Sequence, residues 1–215
     1  MTLSDPLPKG WFGTDLGPFR ASSGTYELYP ADSTASRLEF DGTFGWLPTR
    51  REAGIEYMVP VSAETALAVS KAPGLPPSFV SFMRRPDLTG AIPTCTSCHW
   101  NLVESAIPSP LDDGARLLGF MNDQQDVLLW YLYLEPDGGH RVVCGSIPYH
   151  DVTVESGRAA ADLVEVAPNF EAFIYRFWVE NLAWYELNEF GRADTELTAA
   201  VREYLARYPT APGSG

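Results

Sequence analysis

The sequence predicts an α+β fold: an antiparallel or mixed sheet around a central meander at about residues 116–146, with helices packed mainly on one face. Three observations carry this prediction. First, Arg116–Ser146 reads RLLGFMNDQQDVLLWYLYLEPDGGHRVVCGS, three apolar runs separated by a polar break and a Pro-Asp-Gly-Gly turn. Second, a strongly aromatic helical pattern follows it. Third, 18 Gly and 18 Pro in 215 residues favour many turns over a helical bundle.

Within the meander, Val127, Leu129, Tyr131 and Tyr133 fall on one face, and Leu128, Trp130, Leu132 and Leu134 on the other. A strand apolar on both faces must be covered on both, which places it centrally in its sheet. The glycine pair after Asp137 supplies the positive φ a hairpin connection needs.

In chain order, the Pro/Gly-rich residues 1–20 are expected to wrap over the surface. Short strand-like runs at 25–29 and 37–40 precede an Asp41-Gly42 turn and the apolar Phe44, Trp46 and Leu47, suggesting a hairpin or an edge addition. Ile55–Val61 is a candidate strand broken by Pro60. Ser62 has the chemistry of an N-cap for a helix to Lys71, which ends before Pro73-Gly74. A second short helix is expected over Ser78–Arg84 with Phe79, Phe82 and Met83 inward, then an irregular stretch with a possible strand at 98–103.

After the meander come a polar connection, a possible short strand at 163–166 and the strongest helix, from about Pro168 to Asn188. Its apolar residues span roughly half the circumference, more than one packing surface requires, so it should touch a second layer besides the sheet. Asn181 lies within that arc, where bonding to a nearby carbonyl is the expected role. A last helix is expected from Asp194, as its N-cap, to Tyr208. The domain plan is an N-terminal extension (1–61) on the same sheet, a main domain (62–208) and a disordered tail (209–215).

The net charge is −13, which argues against nucleic acid and anionic membrane surfaces as partners. It is uneven: residues 1–107 hold 11 acidic and 8 basic side chains, residues 108–215 hold 17 and 7. A basic protein would be drawn to the second half, although an acidic surface also serves solubility alone. The first residues show no secretory signal pattern, no apolar run reaches the ~18 residues of a membrane span, and three cysteines make no disulfide framework. A cytoplasmic location is the expectation.

The order of motifs resembles a known family. A helix leading into GLPPSFVSFM, the LLGFMNDQQDVLLWYLYL strands and the VEVAPNFEAFIYRFW ending are similar to the SUKH superfamily. That superfamily includes fungal cell-wall-assembly regulators and bacterial immunity proteins of polymorphic toxin systems. The resemblance covers about residues 62–188, with Arg84-Arg85-Pro86 standing where the family has a glycine. It implies an α+β fold and a function in binding, as an immunity protein that neutralises a cognate toxin, often a basic nuclease. It carries no catalytic positions and no cofactor. Asp123, Asp126, Glu135 and Asp137, at the two ends of the central strand, are the candidate partner contacts, with ordinary turn roles as the alternative.

Enzymatic and metal chemistry have weaker footing. Cys95-Thr-Ser-Cys98-His99 matches the c-type haem pattern, which requires export. As a zinc site, Cys95, Cys98 and His99 would need Cys144 or His140 from the third meander strand. A redox role for Cys95 and Cys98 lacks its usual strand-to-helix setting. A hydrolase or small-molecule-binding protein is the other alternative. Gly-x-Ser-x-Gly and phosphate-binding glycine loops are absent, and Asp112-Asp113 or Asp123 with Asp126 could make an acid pair, although acidic residues are common in turns. His150 is solitary.

Overall fold

The structure, a computed structural model, describes residues 7–31, 40–111 and 113–208. Its centre is the expected meander: β5 (Arg116–Asn122), β6 (Leu129–Leu134) and β7 (His140–Gly145), paired antiparallel in sequence order. β8 (Val164–Ala167) adds beyond β7, while β3 (His99–Trp100) and β4 (Ile107–Pro108) both pair with β5. All these pairings are antiparallel.

The two faces of β6 enter two different cores, as its unbroken apolar run predicts. Leu128, Trp130, Leu132 and Leu134 join the large core under the helices. Leu129, Tyr131 and Tyr133 join a smaller one with Ile147, Tyr149 and Ala159. Val127 stays 53% exposed in the turn before the strand. In β5 the register shifts between Gly119 and Met121, a bulge that lets Phe120 and Met121 both enter the large core.

Two short helices, α1 (Ala63–Val69) and α2 (Pro77–Met83), sit where the sequence puts them. The Ser62 side chain accepts from Thr65 N, and Phe79, Phe82 and Met83 are buried. α3 (Pro86–Thr89) follows directly. The long helix α5 (Phe170–Trp184) lies over the sheet, with Phe173 5.5 Å from Phe120 and Phe177 6.1 Å from Trp130 between ring centres. Its other side meets a second layer, where Trp46 stands 5.2 Å from Tyr175 and 5.7 Å from Trp178. Asn169 caps α5 through Ala172 N, so Pro168 precedes the cap instead of opening the first turn. The helix closes with a π-helical turn over Tyr185–Glu189, and Gly191 (φ 59°) ends the run.

Several expectations are corrected. Residues 7–20 do not simply wrap the surface. β1 (Gly10–Gly13) pairs with β2 (Glu27–Pro30), and Trp11 and Leu16 are buried in the large core. Lys9 bridges Glu165 of β8, so the N-terminal hairpin continues the main sheet's edge. Ile55–Val61 is no strand. It makes a single bridge, Tyr57 to Pro93, because Pro60 and Pro93 remove the donors a longer ladder needs. The 98–103 strand shrinks to the two residues of β3.

The 40–47 stretch forms no hairpin. It is tied instead to Glu171 of α5, whose carboxylate accepts from Gly42 N (2.6 Å) and Trp46 Nε1 (2.9 Å). The polar connection after the meander contains α4 (Ser156–Asp162), which covers the smaller core with Ala159. The last helix, α6 (Ala199–Leu205), starts later than expected, because Thr198 and not Asp194 is its cap. Most of the 37–40 run, Asp112 and the 209–215 tail lie outside the described residues.

Candidate functional site

The structure splits the four acidic candidates between the two ends of β6, about 20 Å apart for six residues at ~3.3 Å each. At one end, Asp123 is 5% exposed, and one of its oxygens accepts from Val127 N (2.7 Å) and Leu128 N (3.0 Å). That is a turn-forming role. Asp126 beside it is exposed, in the left-handed region (φ 54°), and accepts from Asn122 Nδ2 (2.7 Å).

At the other end, Glu135 and Asp137 meet Asp113, Tyr133 and Arg141 around an open cleft of about 320 Å³. Arg141 is shared between Glu135 and Glu165, and Lys9 also reaches Glu165 (3.0 Å). Tyr133 OH donates to Asp113. Asp137 accepts from Gly139 N (2.9 Å) and keeps its exposed carboxylate at the tip of the hairpin.

The structure does not bring the residues of the zinc alternative together. Among the described residues, no group of three or more His, Cys, Asp or Glu side chains stands where it could hold a metal ion. Cys98 faces the core beside Tyr26 OH (3.2 Å), whereas His99, one residue on, is exposed on the opposite side of β3. Cys144 is fully buried on β7, and His140 is turned to accept from Phe170 N (3.3 Å). Burial pushes the Cys95 thiol up to about 12 and raises Cys98 and Cys144 as well, so in the folded chain these groups are protonated thiols near neutral pH.

A second open cleft, about 470 Å³, places Ser78, Ser81, His140 and Glu171 on one wall system. Burial lowers His140, so its imidazole is neutral near pH 7, but its Nε2 is already occupied by the Phe170 N–H. No hydrogen bond joins it to either serine among the described residues. His150 is likewise structural: its Nε2 accepts from Gly119 N (3.1 Å) at the β5 bulge, and its ring stacks on Tyr131.

A polar cluster that sequence reasoning missed centres on Glu180 of α5. Its carboxylate is 3% exposed and accepts from Trp11 Nε1 (2.7 Å), both terminal nitrogens of Arg20, Arg176 Nε (3.2 Å) and Tyr204 OH. Burial alone would raise the Glu180 carboxyl. The hydrogen bonds and charge of Arg20, with Arg176 behind it, outweigh burial and hold the group below the usual glutamate range. The signal in the sequence was a glutamate inside FWVENLAW, an apolar run that forces any carboxylate to find a buried cation. Asn181, next to it, accepts from Cys95 N (2.8 Å) and donates to Phe177 O (2.8 Å), as a carbonyl-bonded core amide should.

No protein family, curated protein or solved structure matches the chain. Fold and sites therefore stand on their own: an α+β protein with a 6-stranded and a 2-stranded antiparallel sheet, and among the described residues no helix long and apolar enough to cross a membrane.

Proposed function

We propose that the chain is a non-catalytic protein-binding module of the SUKH type, which engages a basic partner through the acidic surface of its second half. The partner class that the resemblance implies is a toxin domain, of the basic, nuclease kind, neutralised inside the cytoplasm.

The observation that carries this reading is how the second half uses its cations. Three of its seven arginines, Arg141, Arg176 and Arg192, are drawn into ion pairs with Glu135, Glu165, Glu180 and Glu186, carboxylates that are buried or half-buried, and Arg192 also reaches the exposed Glu52. Among the described residues, the exposed Asp126, Asp137, Asp151 and Glu155 take part in no ion pair. Exposed Arg158 and Arg202 offset part of the negative charge of that half, and what remains at the surface accelerates encounter with a positive partner.

The test is affinity capture from an extract of the source organism at low salt, followed by a high-salt wash and identification of what leaves. A basic protein released as salt rises supports the reading, since exposed charge pairs are screened over ~8–10 Å at physiological ionic strength. Retention of no basic protein at low salt contradicts it.

A further inference from the structure

β4 pairs with Arg116 and Leu117 of β5, and β3 with Met121 and Asn122. Among the described residues, the stretch between them, Leu118 to Phe120, has no strand neighbour on that edge. Its polar groups are satisfied one by one. Gly119 O accepts from Val103 N (3.2 Å), Phe120 O accepts from Asn101 N (3.0 Å), and Gly119 N donates to His150 Nε2 (3.1 Å). An imidazole nitrogen accepts only while it carries no proton, so this bond requires His150 to be neutral, with its proton on Nδ1.

The same ring closes a segment over the smaller core. It stacks on Tyr131, whose hydroxyl donates to Ile147 O (2.8 Å) and accepts from Tyr149 N (3.3 Å). Ile147 and Tyr149 are buried in that core. The ionisable groups around the ring come from each neighbouring element. Its own turn holds Asp151, whose charge favours protonation, and Tyr149, whose hydroxyl donates to Asp162 of α4 (2.9 Å). α4 also brings Arg158 towards Tyr149, and β6 presents Tyr131. The 101–106 segment carries the exposed Glu104, and Arg116 of β5 is turned to Pro73 O (3.0 Å). Burial outweighs Asp151 and lowers His150 below its ordinary 6.5.

We propose that His150 is an acid-sensitive latch: a proton on Nε2 turns the acceptor into a donor facing the Gly119 N–H, breaks that bond and frees the 147–152 segment from the smaller core. Ile147, Tyr149 and Tyr131 are then uncovered. Because the folded value is depressed, the latch is fully closed above the unfolded value of 6.5 and is lost as pH falls through the folded one. The latch uses neither the acidic surface nor a protein partner.

The experiment compares hydrogen exchange of the full chain and of H150Q by mass spectrometry, from about pH 7.5 to about pH 5, corrected for the intrinsic pH dependence of exchange. H150Q keeps an acceptor and removes the titrating group. In the native chain, protection of residues 116–122 and 147–152 is expected to fall about tenfold on acidification, as loss of one buried hydrogen bond implies, and to hold in H150Q. No fall in the native chain overturns the inference, and so does an equal fall in both chains, which would assign the effect to other groups such as His140. If H150Q does not fold, NMR of the unmodified chain decides. The Gly119 amide signal must titrate together with His150 Nε2, and a Gly119 signal that stays flat while Nε2 takes up its proton overturns the latch.

Discussion

Arg20 and Glu180 form a two-pronged ion pair across 160 residues of sequence, Nη1 to Oε1 at 2.9 Å and Nη2 to Oε2 at 2.6 Å. Both side chains are buried, and the pair joins the N-terminal hairpin to the helix that covers the sheet. Removing one partner leaves a charge in the interior, so Arg20→Ala should cost about 3–5 kcal/mol in urea unfolding. A loss below about 1 kcal/mol would mean that Arg176 and water compensate fully.

The same pair sets an acid limit. The Glu180 carboxyl is held below its ordinary value of 4.5 in the folded chain. A depressed carboxyl adds stability above the unfolded value, and that stability is lost as pH falls through the folded one. Stability of the native chain should therefore drop below about pH 4.5, and E180Q should be less stable at neutral pH with a flatter acid limb. Glu186 has the opposite sign: burial raises it, against Thr198 N and Arg192. The stability of E186Q relative to the native chain should rise as pH climbs above the unfolded value of about 4.5. Denaturant midpoints across pH check both slopes.

Trp11 ties the first residues to the main core, 3% exposed and 5.9 Å from Phe173 between ring centres. Trp11→Ala should cost about 3–5 kcal/mol. A chain starting at residue 62 would uncover that core and the Glu180 carboxylate together. Near-ultraviolet circular dichroism of the truncated chain should show lost tertiary packing. A sharp, native-like thermal transition there would place residues 7–31 outside the folding unit.

The three thiols should be inert while the chain is folded. Cys95 is raised to about 12 by burial, and Cys98 and Cys144 are raised too. Alkylation at pH 8, followed by mass spectrometry, should be slow in the native chain and fast after unfolding. Rapid native labelling of Cys95, or stoichiometric zinc in protein purified without added metal, would contradict the geometry around it.

Much of the scaffold was legible because it rests on local pattern. The two-faced run of β6, the Ser62 cap and the inward Phe79, Phe82 and Met83 are each decided within a few residues. α4 was not, since SGRAAAD buries only Ala159 and shows no apolar stripe. Ile55–Val61 has a strand's composition but meets a segment whose proline cannot complete a ladder. The Glu180 cluster was legible only as a glutamate inside an apolar run, because its partners Trp11, Arg20 and Tyr204 are brought together only by the tertiary fold. Of the acidic candidates, the sequence located the exposed turns correctly but could not tell that Asp123 is consumed by its own backbone.

The central claim, recognition of a basic protein by unpaired surface carboxylates, is tested most directly by parallel capture with two baits. One is the native chain and the other carries D126N, D137N, D151N and E155Q, four exposed positions outside both cores. The account predicts a basic protein on the native bait that is strongly reduced on the neutralised one. Equal capture by both baits would contradict it.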